Sequence, residues 1–448
     1  MDEYINQFDN LSAEQIVDLI IIGRGISFDN VRRVAAERYL DFGHEKQTKV
    51  KQYYDDRDIA TYNKCLSNED LERYIKIFPE GNYVNKAKER INEFLLRREK
   101  IDKIIKDING YTPGEILGRD GGGSVKLSDE DLNDLCNEIG IEASIVKNYK
   151  SPILKFDDVP EKESDIPSDF TDVFFWGIPS SGKTCALAAI LNTMKNEYTV
   201  KSPEIKRKLG TKYRDSLTNI FKTKYNEIGY LPEVGTSIDN TQYMPFLLTE
   251  RGENKMRKIS FFELSGELFK YFYEVSNYSK LDLDADKREL INSSFATLEL
   301  LLKSNNQKIH FFFIDYNQET KHSVDEVGLT QSNYLEAAKS YFEDNDKILQ
   351  KKTDAIYVVI TKSDELTNNK NDNPEKFLKD NFGSFIDVLE HQCKDNSIKF
   401  KIKLFSIGKV FFKRICKIDR SYSREIIEDL LEKIRPISRW GFMKILKS

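Results

Sequence analysis

Residues Gly177-Ile-Pro-Ser-Ser-Gly-Lys-Thr184 space two glycines, a lysine and a hydroxyl so that one short loop can hold a chain of phosphates. Gly177 and Gly182 let the backbone curve closely around oxygen atoms. The N–H groups of Ser180, Ser181, Gly182 and Cys185, with the start of a following helix, supply positive potential. Lys183 is placed to reach the outer phosphates, and the Thr184 hydroxyl is placed to ligate Mg²⁺. A glycine-rich turn with an incidental Lys-Thr is the alternative, and the flanks argue against it. Val173-Phe-Phe-Trp176 reads as a buried strand before the loop, and Cys185-Ala-Leu-Ala-Ala-Ile-Leu191 as a packed helix after it.

A second constellation ends another apolar run. Ala355-Ile-Tyr-Val-Val-Ile-Thr361 leads into Lys362-Ser-Asp364. A carboxylate at Asp364 can accept hydrogen bonds from the guanine N1–H and exocyclic amine together, a donor pair that adenine lacks. The aliphatic stem of Lys362 can lie along a base. A solvated turn after a core strand is the plainer account of the same residues. A third candidate, Lys308-Ile-His-Phe-Phe-Phe-Ile-Asp315, is an apolar strand ending in Asp, the pattern by which P-loop ATPases hold the magnesium water.

The elements that position these residues alternate from residue 171 onward, which implies a mostly parallel sheet flanked by helices. Strands are expected at 172–177, 242–249, 257–264, 308–316, 355–361 and 400–406. Helices are expected near 184–195, 289–304, 330–350, 374–394 and 423–435. The gap Glu250–Arg257 is too short for a crossover helix, so its two flanking strands should form an antiparallel hairpin.

Residues 171–448 resemble a Ras-like GTPase of the TRAFAC class of P-loop proteins. The shared order is the phosphate loop, a long switch, the hairpin, an x-x-x-Gly turn and the Thr361-Lys-x-Asp364 loop. The resemblance implies an α/β P-loop NTPase fold with a six-stranded, mostly parallel sheet and one antiparallel hairpin strand. It implies GTP and GDP as ligands, with Mg²⁺. Glu263-Leu-Ser-Gly266 stands where the family has Asp-x-x-Gly, so Glu263 would hold a magnesium water and the Gly266 N–H would meet the γ-phosphate. Glu for Asp adds a methylene and alters the metal geometry. Glu267 follows, where the family usually carries a water-orienting Gln. An ionised carboxylate cannot donate a hydrogen bond, so slow hydrolysis is expected, or a catalytic group from elsewhere; a simple acid at a helix start is equally consistent. For the switch threonine that completes the metal site, the Pro232…Gly235-Thr236 context favours Thr236 and spacing favours Thr241; Thr236 is the one expected. Ser406-Ile-Gly-Lys409 is similar to the family's Ser-Ala-Lys, with the Ser406 and Ile407 backbone near the guanine O6.

The 448 residues leave room for two or three domains. Residues 1–110 carry helix signals almost throughout and read as an all-α domain. Leu11-Ser-Ala-Glu14 resembles a capping box, and Ala87, Ile91, Phe94, Leu95 and Ile101 mark one face of a long helix. Leu71 to Ala87 is similar to the helix-turn-helix of tetratricopeptide modules, without a second copy, and an ordinary helical bundle is the better reading of the region. Residues 111–170 read as a linker with a short helical segment after Ser128, and 171–448 as the nucleotide domain. Lys206-Arg-Lys208, Lys212 and Arg214 form a basic insertion that either supplies a cation to phosphate or is a solvated helix.

A net charge of −5 argues against a general nucleic-acid binder. No apolar run reaches membrane-spanning length, Met1-Asp-Glu-Tyr lacks the features of a signal peptide, and five scattered cysteines fit a reducing, cytoplasmic compartment. The functional expectation is a GTP-binding switch that signals to a protein partner, with a nucleotide-dependent dimer as one form of assembly. The alternatives are an ATPase that uses Asp315, and a nucleotide-binding scaffold without hydrolysis.

Overall fold

The sequence Thr171–Trp176 forms a strand (β1) that is buried at every position because helices cover both faces of its sheet. The computed structural model describes residues 12–18, 43–119, 125–203, 210–221, 227–232, 241–253, 255–277, 284–345, 349, 351–368, 373–395 and 397–438. The chain divides into two units. One comprises Met1–Ile108 with Leu127–Ala143, and the other Asn109–Lys126 with Ser144–Ser448.

In the first unit, helices α1 (His44–Tyr62), α2 (Asn68–Ile77) and α3 (Val84–Lys106) precede α4 (Asp129–Ile139). Helices α2 and α3 form the expected helix-turn-helix around buried Leu71, Tyr74, Phe78 and Ala87. Buried Asp58 accepts hydrogen bonds from the Tyr74 hydroxyl and, at 2.6 Å, from the Asn82 N–H, so it fixes the turn between them. Two expectations need correction. The capping box at Ser12 closes on Gln15 rather than Glu14, because the reciprocal bonds run between Ser12 and Gln15, three residues apart. Leu95 is 57% exposed, since it sits one residue beyond the apolar stripe that contains Ala87, Ile91 and Phe94.

The second unit is a three-layer α/β structure. Its strands are β2 (Tyr198–Lys201), β3 (Ile228–Tyr230), β4 (Gln242–Glu250), β5 (Lys255–Glu263), β6 (Gln307–Asp315), β7 (Thr353–Thr361), β8 (Lys399–Phe405), β9 (Gly408–Phe411), β10 (Ile415–Ile418) and β11 (Ile437–Ser438). The main sheet is eight-stranded, in the order β2-β4-β5-β1-β6-β7-β8, with β11 pairing to β5 as well. Strands β5, β1, β6, β7 and β8 run parallel, and β4 pairs antiparallel with β5 as the expected hairpin. The expected six strands were therefore too few. Short β2 and β11 were missed because four and two residues carry no readable period. A separate three-stranded sheet, β3-β10-β9, also lay beyond the sequence reading.

Alternation along the strands builds the two cores. Phe174, Trp176, Phe262, Phe312 and Val358 face α5 (Glu267–Ser276), α6 (Ala285–Leu302), α7 (Gln331–Asp344) and α8 (Pro374–Asp395). Val173, Phe175, Phe261, Phe311 and Tyr357 face the helices Lys183–Glu197, Thr211–Asn219 and Arg420–Lys433. The segment 151–170 is not a free linker. Leu154 packs on the second core, Ile166 enters the first, and Asp157 is hydrogen-bonded at both backbone and side chain. At one margin of the sheet, β8 places Lys399, Lys401 and Lys403 on one face. They pair with Asp429 and Glu432 of the helix Arg420–Lys433. Among the described residues no helix is long and apolar enough to cross a membrane.

Phe311 is fully buried between the rings of Phe175 and Tyr357. Phe311→Ala should destabilise the sheet-containing unit by about 3–5 kcal/mol in urea unfolding of the full chain. Val327→Ala, at a side chain that is 74% exposed, should change it by less than about 0.5 kcal/mol.

Candidate functional site

β1 stops at Trp176, and the helix Lys183–Glu197 begins where the glycine-rich loop ends. Gly177 has φ +147°, and a Cβ there would lie 2.7 Å from the Phe313 carbonyl oxygen and 2.8 Å from the Ser181 Oγ. Only glycine fits such a turn. Ser180 and Gly182 also have positive φ, at +61° and +85°. The Lys183 ammonium is enclosed by the loop and donates to the carbonyls of Gly177 at 2.6 Å and Ile178 at 2.9 Å. Burial lowers its pKa to about 8, against the attraction of the Glu263 and Glu267 carboxylates. The buried Ser181 Oγ has no hydrogen-bond partner among the described residues.

The parallel register sets Glu263 beside Phe175, next to the loop. The Thr184 hydroxyl donates to Glu263 Oε1, and the Tyr213 hydroxyl donates to Oε2 at 2.5 Å. Glu263 is 1% exposed. Burial raises its pKa, opposed by those two hydroxyls and by Lys183. Gly266 then touches the loop backbone: a Cβ there would sit 2.5 Å from the Pro179 nitrogen. Glu267 opens α5 and pairs with Lys270 at 3.1 Å.

From the other side, the Thr361 hydroxyl donates to the Ser181 carbonyl at 2.8 Å and to that of Ile314 at 3.2 Å. This clamps the loop to the ends of β6 and β7. Asp315 is fully buried and engaged. Its Oδ1 accepts from the N–H groups of Asn317 and Gln318, capping the short helix Tyr316–Thr320, and its Oδ2 meets the Lys362 ammonium at 2.6 Å. Lys362 holds φ +56°. Asp364 is exposed in the first turn of the short helix Ser363–Asn368 and acts electrostatically on the Cys416 thiol of β10. Burial pushes the Cys185 thiol up to about 11. Ser406 is buried and accepts from the Gly408 N–H at 3.2 Å. The Ile407 carbonyl accepts from the Asp419 N–H at 2.9 Å, and Lys409 belongs to β9.

Thr236 and Lys206-Arg-Lys208 lie outside the described residues. Thr241 directly precedes β4, and its carbonyl accepts from the Gln242 side chain. Arg214 is not an available cation. It is 8% exposed and donates to Ser202 Oγ and the Pro245 carbonyl, because the apolar face of its helix turns it inward. Tyr213 is the residue that sequence reasoning missed. Its only signal was an apolar spacing with Leu217, which reads as core.

The residues fit both expected groups. An unpartnered buried hydroxyl, an enclosed ammonium and two glycine positions without room for a Cβ would suit a phosphate chain. The Thr184 and Glu263 oxygens are donors for a hard divalent cation. Compared with known proteins, the chain matches no family model and no curated sequence.

The folded chain releases the Lys183 proton at about 8, and the unfolded chain holds it to the ordinary value of 10.5. Between those values the unfolded state binds more protons, so this residue's contribution to stability rises with pH. Denaturant unfolding of nucleotide-free protein should therefore find Lys183→Met more favourable relative to wild type at pH 7.5 than at pH 9.5 (roughly the two sides of that transition).

Proposed function

We propose that this chain binds GTP and GDP with Mg²⁺, hydrolyses GTP slowly, and signals its nucleotide state to a protein partner. The observation that carries the reading is the Thr184–Glu263 contact. It joins the hydroxyl of one motif to the carboxylate of another, distant in sequence, where a nucleotide-bound cation would need both. Bound Mg²⁺ would neutralise charge on the phosphates. Thr184 would keep its proton on Glu263 while its oxygen lone pairs stay available to the metal. Lys183 would exchange the Gly177 and Ile178 carbonyls for phosphate oxygens, with Ser180, Ser181, Gly182 and Cys185 contributing backbone N–H groups. The Gly266 N–H would meet the terminal phosphate.

Guanine selection rests on Asp364, with Thr361 fixing its loop to Ser181 and Lys362 steadied by Asp315. Ser406 and Ile407 would approach the base through their backbone. Asp315 Oδ2 already carries the Lys362 ammonium, whereas Glu263 faces hydroxyl donors and touches Thr184 of the loop; this difference supports Glu263 over Asp315 as the metal-side carboxylate and, with it, the GTPase layout over the ATPase one. The pairing of Glu267 with Lys270 supports slow hydrolysis, because it draws one carboxylate oxygen to a neighbour on its own helix where the resembled family has a glutamine amide. Partner recruitment would fall to the helical unit and the switch segments, through order changes that follow the γ-phosphate. A dimer that forms in one nucleotide state is compatible with this, and no nucleic-acid role is proposed.

Thermal unfolding should rise with GTP or GDP plus Mg²⁺ and stay unchanged with ATP. Asp364→Ala should weaken GTP binding by about 100-fold or more, the scale for a lost bidentate recognition group, and abolish the preference over ATP in competition titrations. Protection by ATP alone would replace this reading with the ATPase. Guanine-nucleotide binding without phosphate release, alone or with a partner, would leave a scaffold.

A further inference from the structure

The carboxylate of Glu263 carries one more rotatable bond than the Asp of the resembled family, yet both its oxygens are fixed. Thr184 holds one and Tyr213 the other, at 2.5 Å. Tyr213 is itself held on every side. Its ring is fully buried and stacks on Phe156, with centroids 5.5 Å apart and planes at 22°. Its N–H donates to Asp157 Oδ2 at 2.8 Å. The preceding Gly210 has φ +73° and leaves no room for a side chain against the Tyr243 backbone, which seats the helix Thr211–Asn219 on β4. Asp157 is tied to the same strand, because its N–H donates to Gln242 Oε1 at 3.1 Å. A buried phenol needs an acceptor, and the acceptor here is the same carboxylate that receives the Thr184 hydroxyl.

We propose that Tyr213, fixed by Phe156 and Asp157, is a positioning residue that sets the Glu263 carboxylate for a divalent cation bound with nucleotide. The inference rests on the reading of Thr184 and Glu263 as the metal side of a nucleotide site. Its physical basis is preorganisation. An unpinned glutamate would lose torsional freedom when it engaged a cation or its water, and the Tyr213 hydrogen bond removes that freedom beforehand. The same bond links the metal side of the site to the segment at Phe156–Asp157, so displacement of that segment would loosen the carboxylate.

The test compares GDP binding in Mg²⁺ and in EDTA, with Mg²⁺ titrated at fixed GDP. Tyr213→Phe keeps the ring and its stack on Phe156 and removes only the hydroxyl. Its apparent Mg²⁺ affinity should fall about 10-fold or more, and its GDP affinity in EDTA should match wild type. Phe156→Ala should shift the Mg²⁺ dependence in the same direction, and it serves as the readout if the first variant does not fold. In a Glu263→Asp background, where the shortened carboxylate falls short of the phenol, Tyr213→Phe should have no further effect. If wild type binds GDP with Mg²⁺ and Tyr213→Phe titrates identically, the positioning role is overturned and the site reading stands. Equal losses in Mg²⁺ and EDTA would assign Tyr213 a structural role only. If wild type shows no Mg²⁺-dependent nucleotide binding, the site reading itself falls and the proposal with it.

Discussion

A buried carboxylate held between two hydroxyls is the constraint around which the second unit is arranged. Glu263 is removed from water, and burial raises its pKa against the two hydroxyls and Lys183, so its buried oxygens need the hydrogen-bond partners they have. Thr184 and Tyr213 supply them from two separate helices. That requirement fixes the position of the helix after the glycine-rich loop relative to β5. It also fixes the helix Thr211–Asn219 over the hairpin. The β1–β5 register then determines that the carboxylate meets the loop at all.

The topology accounts for where these groups converge. β1 lies between β5 and β6, and the chain reaches β5 and β6 in opposite directions across the sheet. The carboxyl end of a strand at such a reversal is an open crevice that neighbouring connections leave uncovered. Loop 177–182 occupies it, bounded by Gly266 on one side and Thr361 on the other. Both neighbours constrain the loop backbone directly. Gly266 does so by lacking a side chain, and Thr361 by a hydroxyl bonded to Ser181. The loop conformation thus depends on these neighbours as well as on its own glycines.

Much of this was legible in the residues. Strands β1, β4, β6 and β7 announced themselves as apolar runs because two covered faces demand them, β8 as an alternation of lysines with apolar residues, and the short gap after Glu250 announced the hairpin. The glycines at 177 and 182 were legible as turns in the backbone, and both hold positive φ; the lack of room for a side chain at 266 was not. Other features were not. Asp315 looked like a metal carboxylate because a buried strand ended there. Its use as a helix cap depends on the backbone direction after Tyr316, which no pattern records. Tyr213 and Asp157 come from segments read as basic insertion and exposed linker, and only tertiary packing brings them to Glu263. The extra sheet β3-β10-β9 escaped for a similar reason, since its three- and four-residue strands derive their identity from one another.

The lysines of β8 bear on how copies of this chain could associate. Among the described residues β8 has no strand beyond it, so its backbone offers a row of donors and acceptors to any extended segment. Lys399, Lys401 and Lys403 stand along that margin, each already paired with Asp429 or Glu432. A second copy that continued the sheet there would bring three lysines close to three of its own. Growth of the sheet from molecule to molecule would have to break or rearrange these pairs, which disfavours association at this margin.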